Sequence, residues 1–122
     1  MKEHENYAAL NARAYAYIRN AKLQQAIPDI NKAIQIQPNE PDAYQTRGIL
    51  YLEQKKYNLA LEDLNKAIKL KPNAEAFFYR GAIKDIMKDK TGACEDLKKA
   101  ASLGHEEATK RLKKLCGGYV SD

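Results

Sequence analysis

Two cysteines, two histidines, two serines and scattered carboxylates are the groups in this 122-residue chain whose types suit chemistry. A nucleophile needs a base within reach, and a metal needs several donors at set spacing. Neither His4 nor His105 stands at metal-ligand spacing from a cysteine or from the other histidine. Ser102 and Ser121 are the serines, and no glycine-rich phosphate loop occurs. The acid pairs Glu62-Asp63 and Glu95-Asp96 lie inside a repeated block, as does Asp29, and are expected to be structural. A salt bridge from these acids to the neighbouring repeat is one such role. The chain is therefore not expected to be an enzyme, and no cofactor or metal is implied.

Cys94 and Cys116 read in two ways. They are either two small buried residues or a disulfide tying the last helix to the one before it. Ten residues separate Cys94 from Gly104 and twelve separate Gly104 from Cys116. Two antiparallel arms of similar length would bring the cysteines together. A bond needs Cα atoms within ~7 Å and an oxidising compartment. The basic cluster Lys110, Arg111, Lys113 and Lys114 follows Lys98 and Lys99 and sits in a chain of net charge +5. It reads as a solvated helix end, or as a patch for an acidic partner, an acidic lipid or nucleic acid. No recognised nucleic-acid motif accompanies it, so nucleic acid is the weaker expectation.

The elements that position these groups repeat. Ala-Ile-Pro-Asp-Ile-Asn-Lys-Ala-Ile starts at Ala26, Ala-Leu-Glu-Asp-Leu-Asn-Lys-Ala-Ile at Ala60, and Ala-Cys-Glu-Asp-Leu-Lys-Lys-Ala-Ala at Ala93. The period is 34 residues (26 to 60) and then 33 (60 to 93). Such a period marks a stacked array, which works through extended surface. Each block keeps apolar residues at i, i+4, i+7 and i+8, one face of a helix: Ala60, Leu64, Ala67 and Ile68 in the second. Pro38, Pro72 and Gly104 stand where these B helices stop. Pro28, early in the first of them, predicts a slight kink or a start close to it. A second helix, A, precedes each: Tyr7 to Arg19, Asp42 to Glu53 and Glu75 to Met87. Ala14, Gly48 and Gly81 are small at matching places, so A and B can approach closely. The inner turns are Asn20-Ala21-Lys22, Gln54-Lys55-Lys56 and Lys88-Asp89-Lys90. Short turns make antiparallel neighbours. A seventh helix, Glu106 to Leu115, has Ala108, Leu112 and Leu115 on one stripe and suits the end of an array.

With Tyr44, Gly48, Tyr51, Tyr57, Ala60, Leu64, Ala67 and Pro72 in order, the second repeat resembles a tetratricopeptide repeat. The first supplies Leu10, Ala14, Tyr17, Leu23, Ala26, Ile30, Ala33 and Pro38. The third is one residue short between Pro72 and Gly81, and has Lys84 and Lys90 where the second has Tyr51 and Tyr57. Gly104 with Glu106-Glu107-Ala108 also resembles a Sel1-like repeat. The resemblance implies an all-α, right-handed solenoid of three helix-turn-helix repeats plus a capping helix. It forms one domain over 1–122, with tails at 1–6 and 117–122, repeats at 7–40, 41–73 and 74–105, and the cap at 106–116. It implies a concave groove lined by the A helices. Groove residues would be Asn11, Tyr15, Ile18, Arg19, Gln45, Thr46, Ile49, Glu53, Phe78, Tyr79 and Ala82. Tyr15, Phe78 and Tyr79 would anchor side chains, and Asn11 and Gln45 would hydrogen-bond a peptide backbone. Alternatively, Phe78 and Tyr79 only pack against the third B helix.

One subfamily grips the carboxylates of chaperone tails with lysine, arginine and asparagine. The matching places hold Asn11, Tyr15, Thr46, Glu75 and Tyr79, with no cation among them. No chaperone-tail clamp is expected. The function expected is a non-catalytic scaffold or adaptor binding a peptide or protein. The rival is a subunit or fragment of a larger assembly that docks or self-associates end to end, through Tyr7 and Leu10 on an uncapped first helix. A monomer is the default. No apolar run approaches the ~20 residues that cross a bilayer, and no secretory leader is visible at Met1. The location expected is cytoplasmic, or exported to the periplasm if Cys94 and Cys116 are bonded.

Overall fold

Leu, Ile and Ala recur at three- and four-residue intervals through the chain, and a helix places such residues on one side. The computed structural model describes residues 6–117, and over them every element is a helix. The order is α1 (Tyr7–Arg19), α2 (Leu23–Ile36), α3 (Pro41–Glu53), α4 (Tyr57–Leu70), α5 (Ala74–Ile86), α6 (Lys90–Ser102) and α7 (Glu106–Cys116). They form two compact units, Met1–Leu70 with α1 to α4 and Lys71–Asp122 with α5 to α7. Of the expected tails, residues 1–5 and 118–122, which include His4 and Ser121, lie outside the described residues.

In the first unit α1 packs on α2 and α3 on α4. The buried strip is Leu10, Ala14, Ala26, Ile30, Ala33, Leu50, Ala60, Leu64 and Ala67. A Cβ on Gly48 would stand 2.9 Å from Leu64 Cγ, so the missing side chain is what lets α3 lie this close to α4. Pro28 does not start α2. The helix runs unbroken from Leu23, with the exposed proline inside it. Pro28 costs one backbone bond, and buried Asp29 and Ile30 on the next turn hold the segment helical.

Tyr7 and Leu10 are buried, which corrects the expectation that they form a docking face. Asn6 caps α1 through its Oδ1, which accepts the N–H of Ala9 at 2.7 Å. The Tyr7 hydroxyl is spent inside the unit, accepting the N–H of Ala43 at 2.8 Å. Burial pushes the Tyr7 phenol above its ordinary pKa, while that backbone hydrogen bond acts the other way.

The inner turns share one geometry. Ala21, Lys55 and Lys88 each take positive φ, at 62°, 63° and 70°. The next residue's N–H then reaches back at 2.8 Å: Lys22 to the Tyr17 carbonyl, Lys56 to Tyr51, Asp89 to Lys84. These are left-handed helix C-termini, ordinarily a glycine's place. The third turn therefore lies one residue earlier than its sequence suggested, because α5 stops at Ile86 and Asp89 caps α6 by accepting the Gly92 N–H at 2.9 Å.

In the second unit α6 packs on both α5 and α7, around Phe77, Ile83, Ala93, Leu97, Ala100, Ala108 and Leu112. The α6–α7 turn repeats the left-handed ending with Gly104 at φ 97°. Cys94 Sγ is bonded to Cys116 Sγ, with Cα atoms 5.9 Å apart, joining the first turns of α6 to the end of α7. No described helix is long and apolar enough to cross a membrane.

Candidate functional site

Residues 34 apart hold matching places on α1 and α3, so the sequence pairs Asn11 with Gln45, Tyr15 with Ile49 and Arg19 with Glu53. Asn11, Tyr15 and Gln45 are half-buried, and Arg19 and Glu53 are exposed. Arg19 donates to the Tyr15 hydroxyl at 3.4 Å and holds its guanidinium 5.8 Å from the ring centroid. Thr46 and Ile49 are each 5% exposed and belong to the core beneath this face, as does Ile18. They leave almost no surface for a ligand, contrary to the sequence expectation. The Asn11 amide stands out. Among the described residues its Oδ1 is the buried side-chain acceptor with no hydrogen-bond partner. An acceptor left so costs about 1–3 kcal/mol.

In the second unit, Phe78 is not the open anchor that the groove requires. It stacks on His105, centroids 4.3 Å apart and planes 14° apart, with Arg111 5.2 Å from its ring. Its packing partner is therefore the start of α7, not only the third B helix. His105 is fixed in turn, because its Nδ1 accepts the N–H of Ala108 at 3.1 Å and caps α7. Tyr79 is half-buried, edge-on to Phe78 at 5.3 Å. Ala82 lies under a cleft of about 740 Å³ between α5 and α7. The structure brings the whole basic cluster, Lys110, Arg111, Lys113 and Lys114, around that cleft.

The A helices carry three further cations that sequence reasoning missed. Arg13 grips Asp29 at 2.6 and 2.7 Å, Arg47 grips Asp63 at 2.8 and 3.0 Å, and Arg80 grips Asp96 at 2.8 and 2.8 Å. Each pair is two parallel bonds across one hairpin, the strong geometry for arginine and carboxylate. The repeated aspartate thus binds its own A helix and not the neighbouring repeat. Its signal was present in the sequence: Arg13, Arg47 and Arg80 each precede the small residue of their helix. The hydrogen bonds to aspartate raise the pKa of Arg47 and Arg80, against an opposing effect of burial. Lys84, where the second repeat has Tyr51, adds a contact to Asp96 at 3.1 Å. Asn31 on α2 accepts from Arg47 at 3.2 Å.

Such cations are committed to carboxylates of their own hairpins and are poor candidates for a ligand. Among the described residues no group of three His, Cys, Asp or Glu side chains could hold a metal.

Residues 14–88 match the family model of the tetratricopeptide repeat. The first TPR domain of Spaghetti (RPAP3), solved bound to the HSP90 peptide SRMEEVD, superposes with a TM-score of 0.84. The two share 25% identity, over 94% of this chain and 96% of that one. The first TPR domain of human RPAP3 gives 0.84 at 26% identity, over 97% and 94%. The TPR domain of Arabidopsis OM64 gives 0.79 at 22% identity, over 88% and 94%, a likeness of fold. No curated protein matches the chain in sequence.

Proposed function

The chain belongs to the tetratricopeptide repeat family, in the all-α solenoid class, and on that premise we propose that it is a non-catalytic protein-interaction module holding a peptide segment against the α1–α3 face. The observation that carries this is the unpartnered Asn11 Oδ1, beside which Tyr15 and Gln45 keep part of their surface. A backbone N–H of a bound segment would satisfy that oxygen after a change of Asn11 rotamer. The Tyr15 ring, steadied by Arg19, offers an apolar surface at small entropic cost. A large, rigid side chain of this kind tends to carry binding energy.

The likeness to a peptide-bound domain supports a protein or peptide as partner. The ligand differs from a clamped carboxylate tail. The five places from which such a clamp is built hold Asn11, Tyr15, Thr46, Glu75 and Tyr79, none of them cationic. Thr46 is buried, and Glu75 would repel a carboxylate. The ligand class that suits the face is a neutral or mildly acidic segment, bound through its backbone and one apolar side chain. The bond between Cys94 and Cys116 supports an oxidising compartment as the place of action.

The test is a selection of displayed random peptides on the native chain, repeated with an Asn11→Ala, Tyr15→Ala double variant. Enriched peptides should bind the variant at least about tenfold more weakly. Equal binding by both proteins would refute the proposed face.

A further inference from the structure

The Cys94–Cys116 bond has no part in the proposed peptide face. Both cysteines lie in the second unit, whereas Asn11, Tyr15 and Gln45 lie in the first. The two ends of the bond differ in their surroundings. Cys94 is 3% exposed in the first turns of α6, beside Gly92, Ala93 and Leu97, which are buried too. Cys116 is half-buried at the last residue of α7, and Gly117 after it is exposed. A disulfide breaks when a thiolate attacks one of its sulfurs, and access helps decide which sulfur is taken. The accessible end here is Cys116.

Charge on α7 bears on which thiols arrive. Lys113 is exposed one turn before Cys116, and residues three apart on a helix are neighbours. Lys114 is exposed beside it. The exposed acid adjoining Cys94 on α6 is Glu95. Two cations against one acid raise the local concentration of an anionic reagent.

We propose that Cys116 is a thiol-exchange site for a small anionic thiol, and that the adduct formed there unties α7 from α6. The attacking thiolate sulfur bonds to Cys116 Sγ. The Sγ–Sγ bond breaks, and its electron pair leaves on Cys94 Sγ, which takes a proton from solvent. One disulfide is exchanged for another, so this step needs no reagent besides the thiol. A second molecule of thiol then attacks the mixed disulfide, frees Cys116 as a thiol and leaves as the oxidised dimer of the reagent. The same steps in reverse close the bond again.

The exchange acts on a short helix. α7 has 11 residues and buries Ala108 and Leu112 fully. A helix of that length is marginal alone. Its start is held by His105, which stacks on Phe78 and caps the Ala108 N–H. Its end is held by the disulfide. Attack at Cys116 frees the end and leaves the start anchored. The peptide face on the first unit and this site can each fail without the other.

The test uses the native disulfide-bonded chain. Brief exposure to reduced glutathione, a net anion, is stopped with acid. Free thiols are blocked with N-ethylmaleimide, and peptide mass spectrometry locates both labels. Glutathione on Cys116 with maleimide on Cys94 should exceed the reverse pattern about tenfold. In urea that unfolds the chain, the two patterns should be comparable. Lys113→Gln with Lys114→Gln should slow loss of the bond to glutathione about fivefold at low salt. Loss to neutral β-mercaptoethanol should change by less than about twofold. In the trapped adduct, amides of the last turn of α7 should exchange at least about tenfold faster than in the bonded chain. Four results would overturn the proposal: both patterns equal in the folded chain, no adduct on Cys116, a lysine effect that is the same for both thiols, or an adduct whose α7 stays fully protected.

Discussion

Tyr7 caps a helix that is not its own. Its hydroxyl accepts the N–H of Ala43 at 2.8 Å, 36 residues away, in the first turn of α3. The other A helices are capped locally, α1 by Asn6 and α5 by Asn73, whose Oδ1 accepts the Ala76 N–H at 2.9 Å. The matching residue before α3 is Glu40, and its side chain makes no such bond. Tyr7 thus supplies from α1 what the segment before α3 lacks, and the same bond joins two repeats.

Tyr7→Phe keeps the ring and leaves the Ala43 N–H without its acceptor. A loss of about 1–2 kcal/mol is expected, measured by urea unfolding. Tyr7 also predicts an alkaline effect. Its pKa is raised in the folded chain, so the folded state holds this proton more tightly than the unfolded one. That stability is complete below the unfolded value, about pH 10, and is lost as pH rises through the folded value. The alkaline decline should be shallower in Tyr7→Phe than in the native chain.

Lys55 takes φ 63°, a left-handed conformation that costs a side-chain-bearing residue roughly 1 kcal/mol. Lys55→Gly should raise stability by about 0.5–1 kcal/mol, less whatever the unfolded chain gains in freedom. Ala21→Gly and Lys88→Gly should act in the same direction. A fall in thermal midpoint for all three would contradict the shared turn geometry.

Arg47→Met leaves the buried Asp63 carboxylate without its guanidinium. A cost of about 3 kcal/mol is expected. Arg47→Met with Asp63→Leu should recover much of it, since an apolar pair can replace a buried ion pair. A double variant no more stable than the single one would show that the pair is not coupled.

Reducing the Cys94–Cys116 bond opens a link of sequence separation 22. It should cost the second unit about 3 kcal/mol, a model-dependent figure. Hydrogen exchange should show α7 losing protection first, with α1 to α4 unchanged. Equal protection of α7 in both redox states would contradict its dependence on the bond.

The helices were legible because their apolar interval is local: Ala60, Leu64, Ala67 and Ile68 need only 3.6 residues per turn. The close approach at Gly48 was legible from one small residue per repeat. The Arg47–Asp63 grip was overlooked although its arginine recurs in every repeat, because it joins residues 16 apart on different helices, and a charged residue reads in sequence as a wet one. The Tyr7 cap was hidden because it occurs once and spans 36 residues, so Tyr7 was expected on the surface and lies in the core. The basic cluster was visible, but its arrangement around a cleft depends on the angle at which α7 meets α5. No spacing records that angle. Thr46 and Ile49 were expected at the ligand and lie beneath it. A helix face is broad, and sequence does not say how much of it the neighbouring helix covers.

The HSP90 peptide SRMEEVD separates two ligand classes. Titrated into the native chain, it should give no binding that Asn11→Ala weakens, because the clamp places hold no cation. Saturable binding lost on Asn11→Ala would show that a carboxylate tail is held there after all.

The most direct measurement of the central claim is amide shift mapping on 15N-labelled chain, with the tightest peptide from the displayed selection. The largest changes should fall at Asn11, Tyr15 and Gln45, including the Asn11 side-chain amide. Changes concentrated on α2 and α4, with α1 and α3 unmoved, would contradict it.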